Sequence, residues 1–219
     1  MEKQTLPPLP KYIFRSAPPE EIDRLLLAHP PLLRHLLFTR GITSAQDAEI
    51  FLNPDYEKHL HDPFLIQNME KAVERILLAI KKEEKIVLYS DYDHDGIPGG
   101  VVLHDFFKKI GYKNFENYIP HRHREGYGFN PDAARAFGEQ KVELIIPVDC
   151  GIADCAAVDV ANSFGINVII TDHHLPPDPL PKAFAILNSK QADDSYPDDM
   201  LCGAAVAWKL THALMQRPL

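Results

Sequence analysis

Apolar and polar positions follow two different patterns along this chain. Up to about residue 83 the chain carries helical signals, in EEIDRLLLAHP, PLLRHLLFTRG, AQDAEIFL after Thr43-Ser44, and MEKAVERILLAIKKEE, and in the last of these the apolar residues recur three and four apart, the spacing that lines one face of a helix. Lysines gather at the end of the last segment, where the helix dipole favours cations. LNPDYEKHLHDPF and other proline-marked stretches read as turns between these helices. From Lys85 onward short β-rich runs, KIVLYS, NFENYIP, VELIIPVD, INVIITD and AFAILN, alternate with the helical stretches VVLHDFFKKIG, PDAARAFGEQ, AAVDVANSFG and CGAAVAWKLTHALMQ. Such alternation predicts βαβ units. The expected fold class is α/β, a mostly parallel doubly wound sheet over residues 84–219, preceded by a small helical region over residues 1–83 that packs on it.

Composition narrows the function. A chain of 219 residues that is 45% hydrophobic and 25% charged can bury a sizeable core. MEKQTLPPLP carries no apolar signal segment, and no run approaches the roughly eighteen apolar residues of a membrane span. A cytoplasmic location without a membrane partner is therefore expected. Cys150, Cys155 and Cys202 lack a CxxC spacing and read as structural thiols. The net charge of −8 excludes a surface that coats itself with nucleic acid, so a polyanion must be met locally, by a basic patch or by bound metal.

The candidate chemistry sits at predicted strand ends, where open sheets of this kind take their ligands. KIVLYS runs into Asp91, Asp93 and Asp95; VELIIPV runs into Asp149; INVIIT runs into Asp172, His173 and His174. Two bare carboxylates about 4 Å apart repel by roughly 4 kcal/mol at an effective dielectric of about 20, so their convergence calls for protons or cations. Oxygen-rich ligation with one or two histidines suits Mn²⁺ or Mg²⁺ better than structural zinc. Two such ions about 4 Å apart polarise a phosphoryl group and activate a water for in-line attack. DYDHDG also matches the start of an EF-hand loop, but the twelfth position would be Val102 and the preceding segment is strand-like. A solvated acidic turn would account for the triplet alone, and an exposed basic turn for HRHREGYG. Beside a metal site, Arg122 and Arg124 of that segment would grip a phosphate backbone, with Gly126 and Gly128 letting it approach.

Taken in order, FLNP (51–54), LHDPF (60–64), MEKAVERILLAI, DYDHDG, YIPHRHREGYGF, VDCGI (148–152), TDHHLP (171–176), AILN and LCGAAVAWKL resemble the N-terminal part of the RecJ-type single-stranded-DNA exonucleases of the DHH phosphoesterase superfamily. The resemblance implies a two-metal phosphodiesterase, using Mn²⁺ or Mg²⁺, that degrades single-stranded DNA from the 5′ end, with repair or replication proteins as further partners. It implies Asp93, Asp95, Asp149 and His173 as metal ligands and His174 as the contact to the scissile phosphate. Asp91 is implied as a ligand or an orienting partner, and Asp172 as a residue that orients His173 or holds the turn. The segment with Arg122, Arg124, Gly126, Tyr127 and Gly128 is implied to lie along the substrate path.

The chain departs from the family pattern in three places. Ile97-Pro98-Gly99-Gly100 replaces a regular helix start, which implies a poorer phosphate nest there. His94 stands where a small apolar residue is usual. The family's next motif, a strand ending in another metal-binding aspartate, is expected after LCGAAVAWKL, and a phosphoesterase domain truncated before that motif is the expectation. Two other functions remain open from sequence: hydrolysis of short oligonucleotides or cyclic dinucleotides, and a non-catalytic DHH binding module.

Overall fold

The computed structural model describes residue 13 and residues 15–218. They form two compact units that divide between Leu60 and His61. The helical periodicity, by contrast, continues to about residue 83. The difference lies in the helix α5, Met69–Lys82, whose Met69, Ala72, Val73, Ile76 and Ala79 are buried against the sheet of the second unit. Glu83 ends it in the left-handed conformation, φ 57°, and returns its N–H to Ala79 and Ile80.

The first unit holds α1 (Glu20–Leu25), α2 (Pro31–Phe38), α3 (Ala45–Leu52) and the single turn α4 (Tyr56–His59) around a small cluster of Leu26, Leu37 and Ala48. Ser44 caps α3 by accepting from the Asp47 N–H. Asp55 caps α4 in the same way, which makes a helical turn of a segment whose prolines had read as turn alone.

In the second unit five strands, β1 (Ile86–Ser90), β2 (Phe115–Tyr118), β3 (Leu144–Val148), β4 (Asn167–Thr171) and β5 (Ala185–Leu187), pair in the order β2-β1-β3-β4-β5, all parallel. The fold class expected from the alternation is the one observed. Period-two alternation sends Leu88, Ile146 and Ile169 to one face, under α5, α6 (Gly96–Lys109) and α9 (Gly203–Met215). Val87, Ile145, Val168 and Ile170 face the other way, under α7 (Pro131–Glu139) and α8 (Cys155–Ser163). Burial on both faces explains why the central strands are apolar runs rather than alternating ones.

The helix α6 runs unbroken through Pro98, Gly99 and Gly100, with Pro98 in its first turn. A Cβ on Gly99 would stand 2.7 Å from Val148 Cγ1, and one on Gly100 would stand 2.2 Å from Ser90 Oγ. The glycines let α6 lie closer to β1, β3 and α9 than side chains would permit. Among the described residues no helix is long and apolar enough to cross a membrane.

Candidate functional site

The chain leaves β1 toward β2 on one side and later places β3 on the other side of β1. The crevice beyond the ends of β1 and β3 is therefore a topological switch point, where α/β sheets take ligands. The first residue after each of three strands is an aspartate whose N–H extends the ladder: Asp91 to Val148 O, Asp149 to Thr171 O and Asp172 to Leu187 O, at 2.8–3.1 Å. Each backbone is thus fixed by the sheet while its carboxylate clears the strand end.

Ligand atoms of Asp91, Asp93 and Asp149 lie within 4.8 Å of one another, as do those of Asp149, His173 and His174. Asp149 belongs to both groups. It adopts the left-handed conformation at φ 61°, uncommon for a residue with a Cβ, and this places its carboxylate between the two. His173 Nε2 lies 3.2 Å from Asp149 Oδ1 and 3.5 Å from Asp95 Oδ2. Even so, Asp149 Oδ1 and Asp91 Oδ1 are buried without a hydrogen-bond partner among the described residues.

Electrostatics follow from that crowding. Burial, then repulsion from Asp95, Asp93, Asp172 and Asp91, pushes Asp149 up to about 8. Burial likewise raises Asp91. Asp93 moves the other way, because the Gly96 and Asp95 N–H groups donate to its Oδ1. Burial and the neighbouring His174 lower His173. The cradle therefore disfavours its own full ionisation, the condition a divalent cation relieves.

Asp95 is engaged differently from the other carboxylates. Its oxygens accept the first N–H groups of α9, Gly203 at 2.6 Å and Ala204 at 2.7 Å, while Oδ2 remains near His173. Asp172 is buried and accepts from the N–H groups of Ile152, His173 and His174 and from His174 Nδ1 at 2.7 Å. It holds the turn, as one of its two expected roles required, but the ring it orients is that of His174 rather than His173.

The 121–128 segment closes over this crevice. Arg122 stacks on the Tyr92 ring at 4.4 Å, Arg124 is exposed, and the Tyr127 hydroxyl lies 3.2 Å from His174 Nε2. Gly126 and Gly128 take positive φ, 80° and 86°. Only Gly126 leaves open space where a Cβ would be. At Gly128 that space is filled by the Asp154 carboxylate, so its glycine serves loop closure rather than the approach of a ligand.

Four residues that shape the site escaped the sequence reasoning. Asp154 accepts from the Phe129 N–H, and Glu125 accepts from the His121 N–H and the Tyr118 hydroxyl, pinning both ends of the loop. The buried Tyr89 hydroxyl donates to Gly128 O. Asn188, at the end of β5, donates to His174 O at 2.8 Å. Asn188 had a usable signal, since it follows AIL as Asp172 follows VIIT; Asp154, Glu125 and Tyr89 act across the tertiary fold and had none.

Against known proteins, the model of the DHH family, N-terminal domain, matches residues 85–218. The single-stranded-DNA-specific exonuclease RecJ of Bacillus subtilis (strain 168) is 44% identical over 186 residues, covering 84% of this chain and 23% of the relative. RecJ of Escherichia coli (strain K12) is 37% identical over 185 residues, covering 84% of this chain and 31% of the relative. A crystal structure of exonuclease RecJ bound to manganese matches with a TM-score of 0.63 and 29% identity, covering 69% of this chain and 38% of that one. The chain thus spans less than a third of the length of either relative.

Proposed function

Because this chain belongs to the DHH family, we propose that it forms the catalytic α/β part of a metal-dependent phosphodiesterase acting on single-stranded DNA, with 5′→3′ polarity and a place in repair or recombination. Two buried carboxylate oxygens without hydrogen-bond partners, Asp91 Oδ1 and Asp149 Oδ1, carry this reading. A buried carboxylate left unpaired either keeps a proton, as the raised Asp149 does, or is costly until a cation completes it.

The donor set fits Mn²⁺ or Mg²⁺: carboxylates from Asp91, Asp93 and Asp149, with the His173 imidazole and Asp95 beside it. Two ions are proposed, which these residues would hold. When bound, such ions polarise the phosphoryl oxygens and make water a stronger nucleophile.

The chain's own groups do the rest. Asp172 holds His174 through Nδ1, which leaves Nε2 facing the Tyr127 hydroxyl, and on release from it Nε2 would meet the scissile phosphate and, when protonated, assist the leaving group. Arg122 and Arg124 would bind backbone phosphates on the loop side. Tyr92 keeps the Arg122 guanidinium beside the cradle through the ring stack.

Calorimetric titration of Mn²⁺ tests the proposal, comparing the chain with an Asp93→Ala, Asp149→Ala double variant. Micromolar-to-millimolar binding that the double variant loses supports a metal cradle. A folded chain that binds no Mn²⁺ at millimolar concentration would overturn it.

A further inference from the structure

We infer that the β2 edge of the sheet, with the outer stripe of α6, is a track along which a single-stranded nucleic acid leaves the cradle. The inference rests on the phosphodiesterase reading and extends it to a surface outside the carboxylate cluster.

Among the described residues β2 pairs with β1 alone and is the edge strand of the sheet. Its alternation puts Phe115 and Asn117 on the side of α6, whereas Glu116 turns away, 3.6 Å from Lys85. On α6 the residues Ile97, Val101, His104 and Lys108 recur four, three and four apart, and so share one stripe. His104 joins the two elements: its Nδ1 lies 2.7 Å from Asn117 Nδ2, and its ring stands edge-on to Phe115 with centroids 5.3 Å apart.

The stripe has a direction. Ile97 lies two residues after Asp95, at the cradle, and Ile97, Val101 and Ile119 are large apolar side chains left exposed. At the far end, a cavity of about 220 Å³ is lined by His104, Lys108, Tyr112, Lys113, Phe115 and Asn117, with no carboxylate among them. Lys108 and Lys113 are the charged side chains of that lining, with Glu83, Glu84 and Glu143 acting on Tyr112 from behind it. From Ile97 to Lys108 the helix rises roughly 16 Å at about 1.5 Å per residue. β2 then runs through Ile119 and Pro120 directly into the segment of Arg122 and Arg124.

Exposed Ile97, Val101 and Ile119, with Lys108 and Lys113 beyond them, offer an apolar surface for bases and cations for phosphates, a combination that holds a single strand without reading its sequence. The occupant is thus an unpaired polynucleotide rather than a mononucleotide, because the lysines stand a helix length from the carboxylates.

The test is fluorescence anisotropy of a labelled oligothymidylate of about 20 nucleotides without added metal, as a function of salt. It compares the chain with Lys108→Gln/Lys113→Gln and with Arg122→Ala/Arg124→Ala. The track requires that the lysine pair weaken binding at least fivefold and lower the slope of log affinity against log salt by about 1.4, two phosphates at about 0.7 each. Mn²⁺ affinity and the melting temperature should stay unchanged. Full binding by the lysine pair together with weakened binding by the arginine pair overturns the track and leaves the nuclease reading standing. Full binding accompanied by a change in self-association assigns the edge to a protein strand instead and also overturns it. Failure of the unaltered chain to bind the oligonucleotide at low salt overturns the track and the choice of single-stranded DNA as substrate together.

Discussion

Gly203 donates its backbone N–H to Asp95 Oδ2 at 2.6 Å, so the first turn of α9 is fastened to the DYDHDG segment. The same glycine lies against the other side of the cradle: a Cβ there would stand 2.3 Å from Asp149 Oδ1. One residue of α9 thus sets the spacing between the carboxylate at the start of α6 and the one that follows β3. Gly203→Ala should push Asp149 outward and weaken Mn²⁺ binding by about tenfold or more, with a stability loss of about 1–3 kcal/mol from overpacking. Paired Mn²⁺ titrations and thermal melts check this; unchanged affinity would mean that α9 does not define the cradle.

Asp149 makes the ion-free protein sensitive to pH in an unusual direction. Its carboxyl is pushed up to about 8 in the folded chain, against about 3.9 when unfolded. The folded state therefore holds a proton that the unfolded state releases. The contribution is fully present below about pH 4 and is lost as pH climbs toward 8. Ion-free melts should show stability falling over this window, and Asp149→Asn should flatten that part of the slope. Added Mn²⁺ should displace the proton, so that binding tightens toward pH 8 and calorimetric heats depend on the buffer's ionisation enthalpy.

Asp172 accepts hydrogen bonds from three backbone N–H groups and from His174 Nδ1. In Asp172→Asn the amide presents N–H where these donors require an acceptor. A loss of about 1–3 kcal/mol in stability is expected, together with a 10–100-fold loss in nuclease activity through misplacement of His174. Melting and turnover measured on the same preparation check both; full activity would remove His174 from the reaction.

Gly100 was legible as a departure from a good helix sequence but not as a packing device. Its Cβ would meet Ser90 Oγ at 2.2 Å and Ser90 Cβ at 3.1 Å. Gly100→Ala should destabilise by about 1–3 kcal/mol although alanine is the better helix former. Ser90→Ala removes the nearer clash, so the double variant should be more stable than the two single effects predict. A chemical-denaturation cycle of the four proteins measures the coupling.

Gly100 also marks where sequence reasoning stops. The parallel sheet was readable because its strands are buried on both faces, which leaves β1, β3 and β4 as unbroken apolar runs. The candidate site was readable because the residues after those runs are Asp91, Asp149 and Asp172, and strand ends are where such sheets bind ligands. Asp95 could be counted among the carboxylates, but its attachment to Gly203 and Ala204 crosses more than a hundred residues and leaves no local pattern. The same holds for Asp154 against Gly128: the glycine suggests a ligand's approach, and a distant carboxylate occupies the space.

His174 is held from two sides, by Asp172 on Nδ1 and by the Tyr127 hydroxyl 3.2 Å from Nε2. With Nδ1 engaged by the carboxylate, Nε2 is the ring nitrogen left to pair with the Tyr127 hydroxyl. A phosphate that is to meet His174 must first displace that hydroxyl, and the loop carrying Tyr127 also carries Arg122 and Arg124. Binding a strand to those arginines and freeing His174 are thereby linked through one short segment with positive-φ glycines at 126 and 128. Tyr127→Phe keeps the ring against His174 and removes only the hydroxyl. A net hydrogen bond of about 0.5–1.5 kcal/mol corresponds to a two- to twelvefold change, so the variant should bind a single-stranded oligonucleotide that much more tightly, with Mn²⁺ affinity unaltered. Weaker binding in the anisotropy titration would instead make the Tyr127 hydroxyl a direct contact to the strand rather than a latch on His174.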